Sequence, residues 1–319
     1  MRILLWHVHG SWTTAFVQGG HEYLVPVTPD RGPDGRGRAA TWDWPPSVRE
    51  VTPAQVAAAD IDVVVLQRPE ELAGGARQWL GGREPGRDLP AVYLEHTSPE
   101  GAVNGMRHPA ADRPDLTLVH VTHFNALFWD AGTTATRVIE HGIVDPGHRY
   151  TGELPRAAVV VNEAARRGRV TGTDLLPRFA RAVPVDLFGM GAGDVAVAGI
   201  ATVDDLPQHR LHNELARRRV YLHPMRWTSL GLSLLEAMHL GMPVVALGTT
   251  EVPRAVPAEA GVATNDLEEA DAALRRLIAE PEEAQMMGKA AREAALSRYG
   301  LARFLADWDE VLVDVVMGA

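Results

Sequence analysis

The chain has 319 residues, about twice the length of one ordinary domain, so two domains with separate cores are expected. A formal net charge of −10 argues against nucleic-acid binding, which draws on basic patches, and the absence of cysteine excludes disulfides and thiolate metal sites. Lys289 is the one lysine, so no Schiff-base lysine lies near any motif. The arginine bias points to a GC-rich, bacterial coding sequence.

The apolar run that starts the chain breaks at His7 to Gly10. It is too short for a signal peptide or a transmembrane segment, and a cytoplasmic setting is expected. Short apolar runs bounded by turn residues follow at Ile3 to Trp6, Tyr23 to Val27, Ile61 to Leu66, Ala91 to Leu94, Leu116 to Val121 and Arg137 to Ile139. Runs of this length, rich in Val, Ile and Leu, fit strands buried on both faces of a parallel sheet. Pro53 to Ala59 and Pro69 to Leu80 suit helices between them, and Pro29 to Arg38 and Gly82 to Arg87 read as loops.

His141 to Pro155 is turn-rich and reads as a linker. Beyond it, strands are expected at Ala157 to Val161, Val185 to Gly189, Val220 to Leu222, Pro243 to Leu247 and Gly261 to Ala263. Helices are expected at Thr173 to Ala182, Gly231 to Leu240, Leu267 to Ala279 and Pro281 to Arg298. An amphipathic helix from Arg303 to Val316 closes the chain. The expected organisation is an N-terminal Rossmann-like domain over 1–150, a second over 151–300, and a C-terminal helix within 301–319 that packs back toward the first.

The segment YLHPMRWTSLGLSLLEAMHLGMPVVALGTTEVPR, from Tyr221 to Arg254, carries the most chemistry. It reads as a strand ending at His223-Pro224, a loop, a helix opening near Gly231 and Leu232, and a tight exit at Gly241-Met242-Pro243. A helix start leaves backbone N–H groups unpaired and suits a diphosphate. Glu236 interrupts the apolar stretch, and a carboxylate there can accept both hydroxyls of a ribose. On spacing alone, a solvated or salt-bridged helical glutamate is the commoner reading.

The wording GLSLLEAM followed by LG and PVVA resembles the donor-binding signature of retaining glycosyltransferases of family four, the glycosyl transferases group 1. The resemblance implies a GT-B fold, with two Rossmann-like domains and a cleft between them. It implies transfer from a nucleoside diphosphate sugar of UDP or GDP type, with retention and with no metal or other cofactor. Two glutamates stand eight positions apart in that family; Glu236 matches the ribose-holding second, while Thr228 stands where the first reads the sugar. The family's phosphate-binding arginine matches Arg166, its lysine is replaced by Thr171, and Arg169 is placed to restore the second positive charge. Gly20-His21-Glu22, VIEHGIVDPG and VYLHP extend the resemblance over most of the chain.

In the first half, HVHGSW sets His9 and Gly10 directly after the first strand, where ligands of open α/β sheets bind. YLEHTSPEG sets Glu95 and His96 at another strand end, and the resembling family has a histidine facing the donor sugar there. His96, Arg166 and Arg169 are therefore the catalytic candidates. Gly10, Thr228, Gly231, Leu232 and Glu236 join the two arginines as donor-binding candidates, with His9 and Glu95 on the acceptor side. His120 and His123 stand three apart without a supporting ligand set, so no metal site is expected. The expected acceptor is a small molecule, a glycan or a lipid-linked group, and a homo-oligomer stays open. Two alternatives remain: a nucleotide-sugar binder without turnover, for which Thr228 and Thr171 speak, and a nucleotide-sugar epimerase.

Overall fold

The computed structural model describes residues 1–195 and 197–318. The chain divides into two compact units, Met1–Val144 together with the C-terminal segment from Leu301, and Asp145–Gly300. Each is a doubly wound α/β unit with one wholly parallel sheet, as the alternating apolar runs and helical segments imply.

In the first unit β1 (Arg2–Leu5), β2 (Glu22–Pro26), β3 (Val48–Val51), β4 (Val63–Leu66), β5 (Ala91–Glu95), β6 (Thr117–His120) and β7 (Ala135–Val138) lie in the order β3-β2-β1-β4-β5-β6-β7. The central strands are apolar throughout because helices cover both faces. Four helices intervene: α1 (Gly10–Phe16), α2 (Pro53–Ala58), α3 (Ala76–Trp79) and α4 (His123–Phe128). The helix expected over Pro69 to Leu80 is shorter than its sequence pattern, because Gly74 adopts φ 121° and breaks the turns ahead of α3.

The second unit holds β8 (Leu154–Val160), α5 (Ala164–Thr171), α6 (Leu176–Ala182), β9 (Val185–Phe188), β10 (Ile200–Val203), α7 (Gln208–Arg217), β11 (Arg218–His223), α8 (Leu232–Leu240) and β12 (Val244–Leu247). It continues with α9 (Val252–Ala255), β13 (Gly261–Thr264), α10 (Leu267–Ala279) and α11 (Pro281–Tyr299). The strand order is β10-β9-β8-β11-β12-β13. β8 begins at Leu154, inside the stretch read from sequence as linker.

The last helix, α12 (Leu301–Met317), returns to the first unit. Phe304 and Trp308 pack edge-on against Trp12 of α1, and Arg303 donates to the carbonyls of Glu140 and His141. His21, in the Gly-His-Glu entry, meets Asp309 of this helix at 2.8 Å, so that motif serves packing here.

Candidate functional site

In an open α/β sheet, ligands gather outside the carboxyl ends of strands where the winding reverses. In the second unit that point lies between β8 and β11, which are neighbours in the sheet. The chain leaving β8 enters α5, and the chain leaving β11 enters the loop to α8. The two exits are stitched together: the backbone N–H groups of Arg226 and Trp227 donate to the Val170 carbonyl at 2.9 and 3.2 Å. Gly172, at φ 70°, lies so close to Pro224 that a Cβ would overlap its carbonyl oxygen.

Gly231 is the N-cap of α8 and brings no side chain to the amides of the first turn. Its own Cβ position is occupied by the imidazole of His223, which is fully buried, so only glycine fits there. Burial pushes the His223 pKa down to about 3, and the ring is neutral. Thr228 is half-buried in the same loop.

Glu236 lies in the second turn of α8 and is 5% exposed. Its Oε2 accepts from the Gln208 side-chain amide at 2.7 Å and lies 3.4 Å from His212 Nε2. A buried carboxylate in such a setting suits the recognition of hydroxyl groups.

The arginine cluster of α5 is divided. Arg166 is exposed and ion-paired with Glu163, and Arg169 is exposed and 3.7 Å from Asp174. Arg226, half-buried, holds the same Asp174 with two hydrogen bonds of 2.5 and 3.0 Å. Thr171, at the position of the family lysine, is fully buried and shares a 2.9 Å hydrogen bond with Thr173.

At the carboxyl edge of the first unit, His9 is the exposed N-cap of α1, and its ring lies 4.3 Å from that of His96. His96 hydrogen-bonds the Gln67 side chain at 3.0 Å and meets Trp12 edge-on. Burial holds its pKa well below the usual histidine value, with smaller contributions from His9 and His141. Burial likewise pushes His141 down to about 3. Gly10 faces the Trp42 indole.

Glu95 is buried and both of its oxygens are engaged. Oε1 accepts from the Thr97 backbone N–H, and Oε2 lies 2.8 Å from His108 Nε2. His108 Nδ1 accepts from the Ala110 N–H, so the ring proton sits on Nε2 and is donated to Glu95. Glu95 is thus built into the strand end beside His96 rather than presented from it.

Residues 200–294 match the family model for glycosyl transferases group 1. No curated protein sequence matches the chain significantly. The whole chain superposes on sucrose-phosphate synthase from Thermosynechococcus elongatus with a TM-score of 0.74 at 14% identity, covering 100% of both chains. HepE of Anabaena in complex with UDP-glucose gives 0.72 at 14% identity, covering 98% of this chain and 100% of that one. AviGT4, a glycosyltransferase involved in avilamycin A biosynthesis, gives 0.64 at 17%, covering 100% and 98%. The fold is GT-B.

The group 1 segment contains Thr228, Gly231, Leu232 and Glu236, and also Gln208 and His212, which sequence reasoning passed over. Helix α7 escaped notice because polar residues dominate it, yet it is what seats Glu236. Arg226 was also missed; its pairing with Asp174 emerges only once the β11 exit lies against α5. The large surface hollow near Arg156, Ala180 and Ile200 lies at the amino ends of β9 and β10, the wrong edge of the sheet for this chemistry. Among the described residues no group of His, Asp and Glu is arranged to hold a metal, and no helix is long and apolar enough to cross a membrane.

Proposed function

We propose that this chain transfers a sugar from a nucleoside diphosphate sugar, of UDP or GDP type, to an acceptor hydroxyl with retention of anomeric configuration. One observation carries the reading: at the reversal point of the second sheet, an α8 start without a capping side chain lies beside an arginine-rich α5, with a buried Glu236 one turn on. The α8 amides would take the diphosphate, and Glu236 would take the ribose hydroxyls. The bond from the anomeric carbon to the diphosphate breaks while a bond to the acceptor oxygen forms on the same face. The acceptor proton passes to the departing diphosphate. Acceptor binding is assigned to His9 and His96 of the first unit; burial keeps His96 neutral, so its imidazole can accept or donate a hydrogen bond without charge.

The test is thermal stabilisation by UDP, GDP, ADP, CDP and dTDP, with wild type beside Glu236→Ala. A ligand at a hundred times its dissociation constant contributes about 2.7 kcal/mol. UDP or GDP should raise the midpoint, and Glu236→Ala should weaken that nucleotide about 10- to 100-fold, as for the loss of a charge-assisted hydrogen bond. Stabilisation by no nucleotide would sink the reading. A binder without turnover is a second reading, favoured by the neutral Thr228 and the buried Thr171; it predicts the same stabilisation and no consumption of donor with any acceptor.

A further inference from the structure

The first sheet reverses its winding between β1 and β4, as the second does between β8 and β11. Outside the carboxyl ends of β1 and β4 lies a hollow of about 100 Å³. Trp6 lines it from the β1 exit, Arg68, Glu70, Glu71 and Trp79 from the chain that leaves β4, and Asp34 from the loop after β2. Doubly wound sheets take ligands at this place.

The chain leaving β4 lines the hollow with a buried ion pair. Glu71 Oε2 accepts from the Gln67 backbone N–H at 2.7 Å, and its Oε1 accepts from Arg68 Nε at 2.6 Å. Gly74, at φ 121°, then breaks the turns, and α3 brings Trp79 edge-on to Trp6 with ring centroids 6.5 Å apart. The Pro29 to Arg38 loop crosses the same strand ends. His7 Nδ1 donates to the Gly37 carbonyl at 3.0 Å beyond β1, and Asp34 meets Arg68 at 3.1 Å beyond β4.

Gln67 joins the hollow to the acceptor-side histidines. Its amide nitrogen donates to the Trp6 carbonyl at 2.7 Å, and its side-chain oxygen accepts from His96 Nε2 at 3.0 Å. A group seated against Trp6 therefore lies beside residues to which acceptor binding is assigned.

Size and charge together restrict what that group can be. Pockets that enclose a whole small molecule run from roughly 300 Å³ upward, so this one takes a terminal group of a larger ligand. Glu71 offsets the charge of Arg68, which leaves the carboxylates of Asp34 and Glu70 in excess. An anion would have to displace a carboxylate from Arg68. A cation meets surplus negative charge and two indoles, whose rings attract it.

We infer that this hollow is an acceptor subsite for a cationic amino group, and that the acceptor is an amino-bearing sugar or polyol. The inference rests on the proposed glycosyl transfer and names the acceptor class that the donor site leaves open. The ammonium binds between Asp34, Glu70 and the indoles, and a hydroxyl of the same molecule receives the sugar.

The experiment titrates the full chain at neutral pH, by calorimetry, with 6-amino-6-deoxyglucose, its N-acetyl derivative, glucose and glucose 6-phosphate. Wild type stands beside Glu70→Gln and the double variant Asp34→Asn/Glu70→Gln; both positions are exposed, so the variants should fold. The amino sugar should bind about 3- to 30-fold tighter than glucose, as one exposed ion pair and one cation–π contact allow, and the acetylated sugar no tighter than glucose. Glu70→Gln should reduce that preference and the double variant should remove it, with the UDP and GDP constants unchanged in both. A preference below about twofold, tighter binding of glucose 6-phosphate than of the amino sugar, binding of none of the four sugars, or a preference undiminished in the double variant would each overturn the subsite. Wild type that prefers the amino sugar yet binds neither UDP nor GDP would overturn the donor site instead and keep the hollow as an ammonium site.

Discussion

The carboxyl edges of the two sheets have the same topology and opposite chemistry. In the second unit the edge is built from guanidinium groups, an uncapped helix start and a buried carboxylate. In the first it is built from imidazoles whose pKa values are held low, packed with indoles: His7 with Trp44, and His96 with His9 and Trp12. A doubly wound sheet fixes where a ligand binds and leaves its charge to the loops. The guanidinium-rich edge suits a diphosphate and the imidazole-rich edge suits a hydroxylic acceptor, so one edge should respond to ionic disruption and the other to pH.

The largest difference should follow from a methyl group. Gly172→Ala would place a side chain at φ 70° and drive its Cβ into the Pro224 carbonyl, a backbone atom that cannot step aside. Strain and overlap together should cost about 2 to 4 kcal/mol, and the nucleotide effect on the midpoint should vanish with the junction of α5 and the β11 exit. Gly10→Ala at the other edge meets only the Trp42 indole nitrogen at 3.2 Å, and a half-buried side chain can yield. It should cost less than about 1 kcal/mol. Thermal melts of the two variants check this, and equal losses would mean that the Pro224 junction is no tighter than the Gly10 contact.

A difference smaller per pH unit should appear in acid. Burial pushes His120 to about 4, and His141 and His223 to about 3. Each binds a proton in the unfolded chain near pH 6.5 and refuses it when folded, so the contribution is absent as a penalty above that pH. Stability is then lost as pH falls from about 6.5 toward the folded values, at about 1.4 kcal/mol per pH unit for each group. Two of the three lie in the first unit, which also holds every tryptophan except Trp227. Tryptophan fluorescence should therefore change at a higher pH than the far-ultraviolet signal of the whole chain, and coincident transitions would show that the units do not differ in this respect.

How much of this was readable beforehand depended on burial. The central strands and α8 announced themselves as apolar runs because they are covered on both sides. β3 and β10 did not, because each ends its sheet and shows residues such as Arg49 and Thr202 to solvent. Glu236 stood out as one charge in an apolar helix, yet the residues that hold it lie on the polar α7, 28 and 24 positions upstream. Motif spacing selected Arg166 because it counts positions along the chain. It cannot count which carboxylates the fold brings near, such as the Glu163 that pairs with Arg166 and the Asp174 beside Arg169.

The smallest effect concerns Glu95, which sequence position offered as an acceptor-side group. Its two oxygens each receive a protein donor, the Thr97 N–H and His108 Nε2–H. A glutamine there has one carbonyl oxygen and an amide, so it can satisfy one donor and must turn N–H toward the other. Glu95→Gln should cost about 1 to 3 kcal/mol of stability, the range for a buried donor left unmatched. Dissociation constants for UDP and GDP should not change, because nothing in that arrangement belongs to the phosphate edge. A melt and a titration on the same sample decide it: an unchanged midpoint with lost acceptor-dependent turnover would return Glu95 to the acceptor, and a lowered midpoint with wild-type nucleotide affinity would leave it as the strut that fixes the strand end carrying His96.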